Sequence, residues 1–188
     1  MSRVKSEDKR SAILAAATHL IVTQGLCAPT MGIAKEAGIP NGSLFTYFRT
    51  KADLFNHLYL ELKMQMALAA LGDAQECTFS RDHFLAVWRN WTNWAVAFPE
   101  KRKALSQLNV SDVITPETRA TAHKAMKPLA EMLEHCRQMG SMSQVPMSFL
   151  IVLVNSVADG TMEFMSHDPE SADKHCIAGF DAVWRMLM

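Results

Sequence analysis

The sequence predicts an all-α protein of about nine helices, and three observations predict it. Almost every segment repeats its apolar residues with a period near 3.6, and no segment alternates convincingly with period 2. Helix-stopping residues such as Gly25, Pro99 and Gly140 fall where the periodic stretches end. With 188 residues, 49% of them hydrophobic, the chain can bury a sizeable core.

The first helix is expected over roughly residues 7 to 24, with Ile13, Ala17, Leu20 and Ile21 on one face and Gly25 closing it. Thr30 is expected to cap a short helix through Ala37, and Asn41 to begin another. Thr50, with Asp53 three residues on, reads as an approximate capping box. The helix it opens is expected to reach about Leu71 and to bury Leu54, Phe55, Leu58 and Leu62. Gly72 to Thr78 reads as a polar linker. Ser80 then caps a helix that Pro99 stops, and a shorter helix follows. Thr115-Pro116 opens a helix expected to continue to Met139, kinked at Pro128. Met147 to Met165 is apolar on nearly all sides, which predicts cover on more than one side. Asp168-Pro169 caps the last helix, which carries Ile177, Phe180, Val183, Trp184 and Leu187.

Net charge is zero, yet residues 1 to 51 hold seven Lys/Arg against three Asp/Glu, and the rest of the chain holds twelve against sixteen. A basic head can meet phosphate while an acidic body stays off it. The longest unbroken apolar run, Phe149 to Val154, is too short to span a bilayer, so a cytoplasmic protein without a membrane partner is expected. Cys27, Cys77, Cys136 and Cys176 are scattered without a C-x-x-C, which predicts reduced thiols and neither a disulfide framework nor a zinc site.

Residues 38 to 48, GIPNGSLFTYF, carry the most specific signal. Gly38 permits a sharp turn after the short helix, Ile39 points back to a small core, and Pro40 fixes the exit. Leu44 and Phe48, four apart, face inward and leave Asn41, Gly42, Ser43, Thr46 and Tyr47 towards solvent. This is the layout of a helix-turn-helix, whose second helix enters the major groove. The stretch TMGIAKEAGIPNGSLFTYFRTKADL strongly resembles the DNA-binding signature of the TetR family of transcriptional regulators, over roughly residues 10 to 60. The resemblance implies that Thr30, Ser43, Tyr47 and Lys51 touch phosphates and that Asn41, Gly42 and Thr46 lie against base edges. Two positions depart from the family pattern. Phe45 replaces a tyrosine that often contacts phosphate, and Met31 stands where some members place a polar base-reading side chain. Arg3, Lys5, Lys9 and Arg10 read as a solvated basic tail, with reach to DNA as the alternative.

Residues 1–51 are therefore expected to form the DNA-binding head, a helix from about 51 to 71 the connection, and residues 72–188 a ligand-binding and dimerisation body. The resemblance implies a small-molecule effector in that body. Phe84, Trp88, Trp91, Trp94, Met126 and Met162 are candidate apolar contacts, and His123, Asn155 and Asp159 polar ones. The same aromatic face also fits plain core. A homodimer joined through the Met147 to Met165 helix and the last helix is expected, with effector binding shifting the spacing of its two heads on double-stranded operator DNA. Repression is the expected outcome. Rival functions are redox sensing at Cys27 or Cys136, the latter favoured by its neighbours His135 and Arg137, or a metal or enzyme role for Glu131 with His135, or for His167, Asp168, His175 and Cys176. No nucleophile–base pair and no cofactor motif accompanies them.

Overall fold

The computed structural model describes residues 2–72 and 80–188, with side chains from residue 6 onward. Residues 73 to 78 of the expected linker, and Cys77 with them, lie outside the described residues, as do the side chains of Arg3 and Lys5. The described residues form ten α-helices: α1 (Ser2–Gln24), α2 (Thr30–Glu36), α3 (Asn41–Tyr47), α4 (Lys51–Leu71), α5 (Arg81–Ala97), α6 (Pro99–Asn109), α7 (Pro116–Ala125), α8 (Lys127–Met139), α9 (Met147–His167) and α10 (Ala172–Leu187). They make two compact units, Met1–Met64 with Pro99–Lys124, and Gln65–Phe98 with Ala125–Met188.

In the first unit α1 packs on α2 and α6, and α2 on α3. The face read from the sequence is the buried one: Ile13, Ala17, Leu20 and Ile21 are covered, as are Leu54, Phe55, Leu58 and Leu62 of α4. Gly25 takes φ +75 just past α1, a left-handed conformation that a glycine adopts without penalty. Across α1 and α6, His19 Nδ1 lies 3.0 Å from Glu100 Oε1, and this hydrogen bond raises the histidine pKa. The segment between α6 and α7 is tied down by side chains. Asn56 Nδ2 donates to the carbonyls of Ala52 and Val113, each at 2.8 Å, and its Oδ1 accepts from the Thr115 amide at 3.0 Å. Arg119 donates to the carbonyls of Asn109 and Ser111, at the carboxyl end of α6, where a cation is favoured.

In the second unit α10 packs on α9 and on α5, and α5 on α9. Trp88, Phe84, Met162 and Phe180 are buried there. The buried indole N–H of Trp88 donates to the Cys176 carbonyl at 3.0 Å, so this ring is a satisfied core group. Gly179 lets α10 close on α9, since a Cβ there would collide with the Thr161 hydroxyl. Ser141 bonds the last carbonyls of α10, its amide to Leu187 at 3.0 Å and its hydroxyl to Met186 at 2.8 Å.

Four expectations need correction. Residues 116 to 139 do not form one kinked helix: Met126 separates α7 from α8, and Pro128 sits in the first turn of the second. The reason is that proline tolerates a first turn, where its missing N–H has no partner to lose, far better than a helix interior. Thr30 is the first residue of α2 and makes no cap bond, with Pro29 in the cap position. Asp168-Pro169 opens a 3-10 turn, Pro169–Ser171, before α10, because the Ser171 amide donates to the Asp168 carbonyl three residues back at 3.2 Å. Finally, α9 is covered on one side only. Leu150, Val154, Ala158, Thr161, Met162 and Met165 are buried, whereas Phe149, Ile151, Val152 and Phe164 are exposed. By length and composition α9 could also cross a membrane, a test that core helices of water-exposed folds pass as well.

Candidate nucleic-acid interface

The turn between α2 and α3 follows from a few local bonds. Glycine at 38 takes φ +67, its amide donates to the Lys35 carbonyl at 3.1 Å, and the Ile39 amide donates to the Ala34 carbonyl at 3.0 Å. Those two bonds are a Schellman closure, which ends α2 sharply and needs a left-handed residue after the cap. Pro40 then stands at the cap of α3 with φ −59, and the Ser43 amide donates to its carbonyl at 2.9 Å. Seven residues follow as helix, too few to persist alone. What holds α3 is burial of Leu44 at 0% exposure and of Phe48, just past its end, at 1%. Arg10 sits over the Phe48 ring at 5.5 Å and pairs with Glu61 at 3.3 Å, so this member of the basic tail braces the head. Lys9 is exposed.

With Leu44 and Phe48 turned inward, α3 presents Asn41, Gly42, Phe45 and Thr46 to solvent, while Ser43 and Tyr47 are half-buried. The aromatic that the motif exposes is thus Phe45 as well as Tyr47. The signal was available in the sequence, since Asn41 and Phe45 are four apart, as are Gly42 and Thr46, which puts all four on one helical face. Nothing stands within 4 Å of where a Cβ on Gly42 would be, so the backbone there is open to close approach.

The start of α4 completes the surface. The Asp53 amide donates to Thr50 Oγ1 at 3.0 Å, and the Asp53 carboxylate accepts from the Arg49 amide at 2.8 Å. This is the capping box in outline, with the return bond made one residue earlier than usual. Lys51 is the first residue of α4, half-buried, with its ammonium 5.4 Å from the centre of the Phe55 ring. Amide donors at a helix start, a positive helix end and a cation are a ready seat for phosphate. Thr30, half-buried at the start of α2, is the remaining member of the expected set.

The expected effector residues stand on α5, α7 and α9, with Met126 between α7 and α8. Trp88 and Trp91 meet edge to face at 5.8 Å, Trp94 tilts against Phe98 at 6.2 Å, and Phe84 lies 5.9 Å from Phe180. Trp91 is half-buried, as is Met126. Met162 is buried on the covered side of α9, whereas Asn155 and Asp159 lie on its open side, and His123 is exposed in the last turn of α7. The rival sites fare differently from their spacing. Cys136 is buried and burial pushes its thiol pKa up, away from the reactive thiolate, while the neighbouring Arg137 is bound to Glu134. Glu131 pairs with Lys127 at 3.4 Å, Asp168 with His175, and Cys176 faces the Thr92 hydroxyl at 3.4 Å. Among the described residues no three His, Cys, Asp or Glu side chains converge as metal ligands would.

Residues 13–58 match the family profile of bacterial regulatory proteins, tetR family. The whole fold is similar to solved structures described as tetR family transcription regulators, one from Shewanella sp. PV-4 (TM-score 0.81, 24% identity, 95% of this chain and 97% of that chain covered) and one from Marinobacter aquaeolei VT8 (TM-score 0.79, 21% identity, 97% of each chain). It is also similar to the transcriptional regulator FadR from Bacillus subtilis, solved in complex with stearoyl-CoA (TM-score 0.65, 18% identity, 94% of this chain and 96% of that chain).

Proposed function

We propose that the chain is a transcription regulator of the TetR family, a ligand-responsive repressor that leaves a palindromic operator when a small apolar or aromatic effector binds its body. The observation that carries the reading is the α2–α3 surface, where a Schellman turn fixes a second helix with its polar and small residues exposed above a phosphate seat at Lys51. In this reading Asn41, Gly42 and Thr46 meet base edges, and Thr30, Ser43, Tyr47 and Lys51 hold phosphates. Residues 1–51 serve as the head, α4 as the connection and residues 72–188 as the body. In this reading the protein binds DNA and an effector without transforming either, and it works in the cytoplasm.

The open face of α9, bearing Ile151, Val152, Asn155 and Asp159, is assigned to a second copy of the chain rather than to the effector. Two heads then reach successive major grooves. Trp91, half-buried and edge to face with Trp88, and Met126, half-buried between α7 and α8, are the effector contacts of choice. The acyl-CoA in the Bacillus subtilis relative supports a ligand with a long apolar part.

Selection of bound duplexes from random DNA by the full-length protein tests the reading. An enriched inverted repeat is the expected result, and failure to enrich any duplex overturns it. Screening apolar and aromatic metabolites, long-chain acyl-CoA among them, for quenching of tryptophan emission then finds effectors. Linkage requires that a compound weakening operator binding tenfold binds the operator-bound protein tenfold more weakly, a coupling of about 1.4 kcal/mol. A compound that quenches equally with and without operator is not the inducer.

A further inference from the structure

The recognition surface holds two large apolar side chains for which the head has no use. Phe45 is 44% exposed and Met31 69% exposed, although Leu44, Phe48 and Ile33 already fill the core beneath them. The other aromatics of this region are engaged, Phe48 with Arg10 and His57, and Phe55 with Lys51. No ring or cation stacks on Phe45 among the described residues. Exposed apolar side chains on a basic surface that otherwise presents Asn41, Gly42 and Thr46 call for an apolar partner there.

The major groove offers one such partner. Its base edges carry hydrogen-bond donors and acceptors, and the only apolar group among them is the C5 methyl of thymine. A phenyl ring against guanine O6 and N7, or cytosine N4, strips water from polar atoms and returns no hydrogen bond. Against a thymine methyl the same ring buries apolar surface on both sides. Gly42, one turn before Phe45 and without a neighbour at its Cβ position, lets the helix backbone approach closely enough for the ring to reach that edge.

We propose that Phe45 and Met31 are specificity-determining residues that read thymine methyl groups, so that each operator half-site carries thymine at the positions beneath them. The inference rests on the DNA-binding reading above and adds the chemistry of the bases read.

The test uses full-length protein and the duplex it selects from random DNA, with each thymine replaced singly by deoxyuridine, which removes the methyl and keeps the base pair. Wild-type protein is expected to lose about threefold to tenfold in affinity at one or two positions of each half-site. Phe45→Ala is expected to bind the thymine and deoxyuridine duplexes alike at one of these positions, Phe45→Tyr to retain the preference, and Met31→Ala to lose it at the other. Circular dichroism confirms that each variant is folded. Met31, largely in solvent, gives an arm that does not depend on the tolerance of α3. If no thymine-to-deoxyuridine change weakens the wild type, or if the losses persist in both alanine variants, the inference is overturned while the DNA-binding reading stands. If no duplex is enriched at all, both fall.

Discussion

Lys51 and Asn41 lie on the same surface and are expected to act differently. Lys51 is held at the first position of α4 over the Phe55 ring, where it can neutralise a phosphate whatever the sequence beneath it. Asn41, exposed at the start of α3, carries an amide that matches adenine in the major groove. Lys51→Ala should therefore weaken binding to the selected operator and to a scrambled duplex by a similar factor and lower the salt dependence by about one counterion. Asn41→Ala should mainly change which duplex is preferred. Titration of both variants at two salt concentrations checks this, and wild-type binding by Lys51→Ala refutes the phosphate role. At this scale the sequence was highly legible: Leu44 and Phe48 inward, Asn41 and Gly42 outward, Gly38 left-handed. Phe45 is less legible, because a large aromatic ordinarily reads as core and its exposure follows from Leu44 and Phe48 already filling the space beneath α3.

The starts of α5 and α7 were legible in the sequence, whereas those of α2, α8 and α10 were not. Ser80 caps α5 through the His83 amide at 3.2 Å, and Thr115 caps α7 through the Thr118 amide at 3.2 Å, as the residue types foretold. The break at Met126 depends on where each half is buried, which Pro128 alone does not reveal. Carboxyl-terminal to that break, Arg137 of α8 donates to Glu134 and also to the carbonyls of Ser143 and Val145, fastening the turn before α9. The bonds from Arg137 to the Glu134 carboxylate, joined by one from Gln138 Nε2 at 2.7 Å, lower the Glu134 pKa from 4.5 to about 2. A depressed carboxylate contributes stability in full above its unfolded pKa and loses it as the pH falls through the folded value. Glu134→Gln should therefore lower the thermal midpoint near neutral pH, and the gap to wild type should close between 4.5 and about 2. A gap independent of pH would show that the charge is not the cause. Gly179→Ala should be the harsher change, since its Cβ meets the Thr161 side chain across the α9–α10 contact. Overpacking of this kind costs about 1–3 kcal/mol, readable as a lower denaturant midpoint at unchanged slope.

The open side of α9 sets expectations for the whole molecule. Ile151 and Val152 are 41% and 56% exposed, while Val154, two residues on, is 8% exposed. A charge at the exposed pair should spare the fold and break the dimer, whereas one at Val154 should unfold the second unit. Ile151→Glu and Val152→Glu are expected to sediment as folded monomers at micromolar concentration and to lose about tenfold or more in operator affinity, because each half-site is then bound without its neighbour. A wild-type monomer that binds an inverted repeat tightly would contradict the dimer. Coupling of effector to operator is a population shift between head spacings in this scheme, so dimer-breaking variants should also lose the response to any effector found.

By itself the sequence determined the all-helical class, the basic head, and the residues of the turn and second short helix, because each rests on local chemistry: apolar period, cap side chains, and glycine where φ is positive. Tertiary structure decided what an apolar residue is for. Trp88 and Trp91 share a helix and a residue type, yet Trp88 is sealed against Cys176 and Trp91 is half open. Likewise α9 reads as apolar all round, but which side is core depends on where α5 and α10 lie. Periodicity fixes which residues share a face, and only packing against distant segments fixes which face is buried.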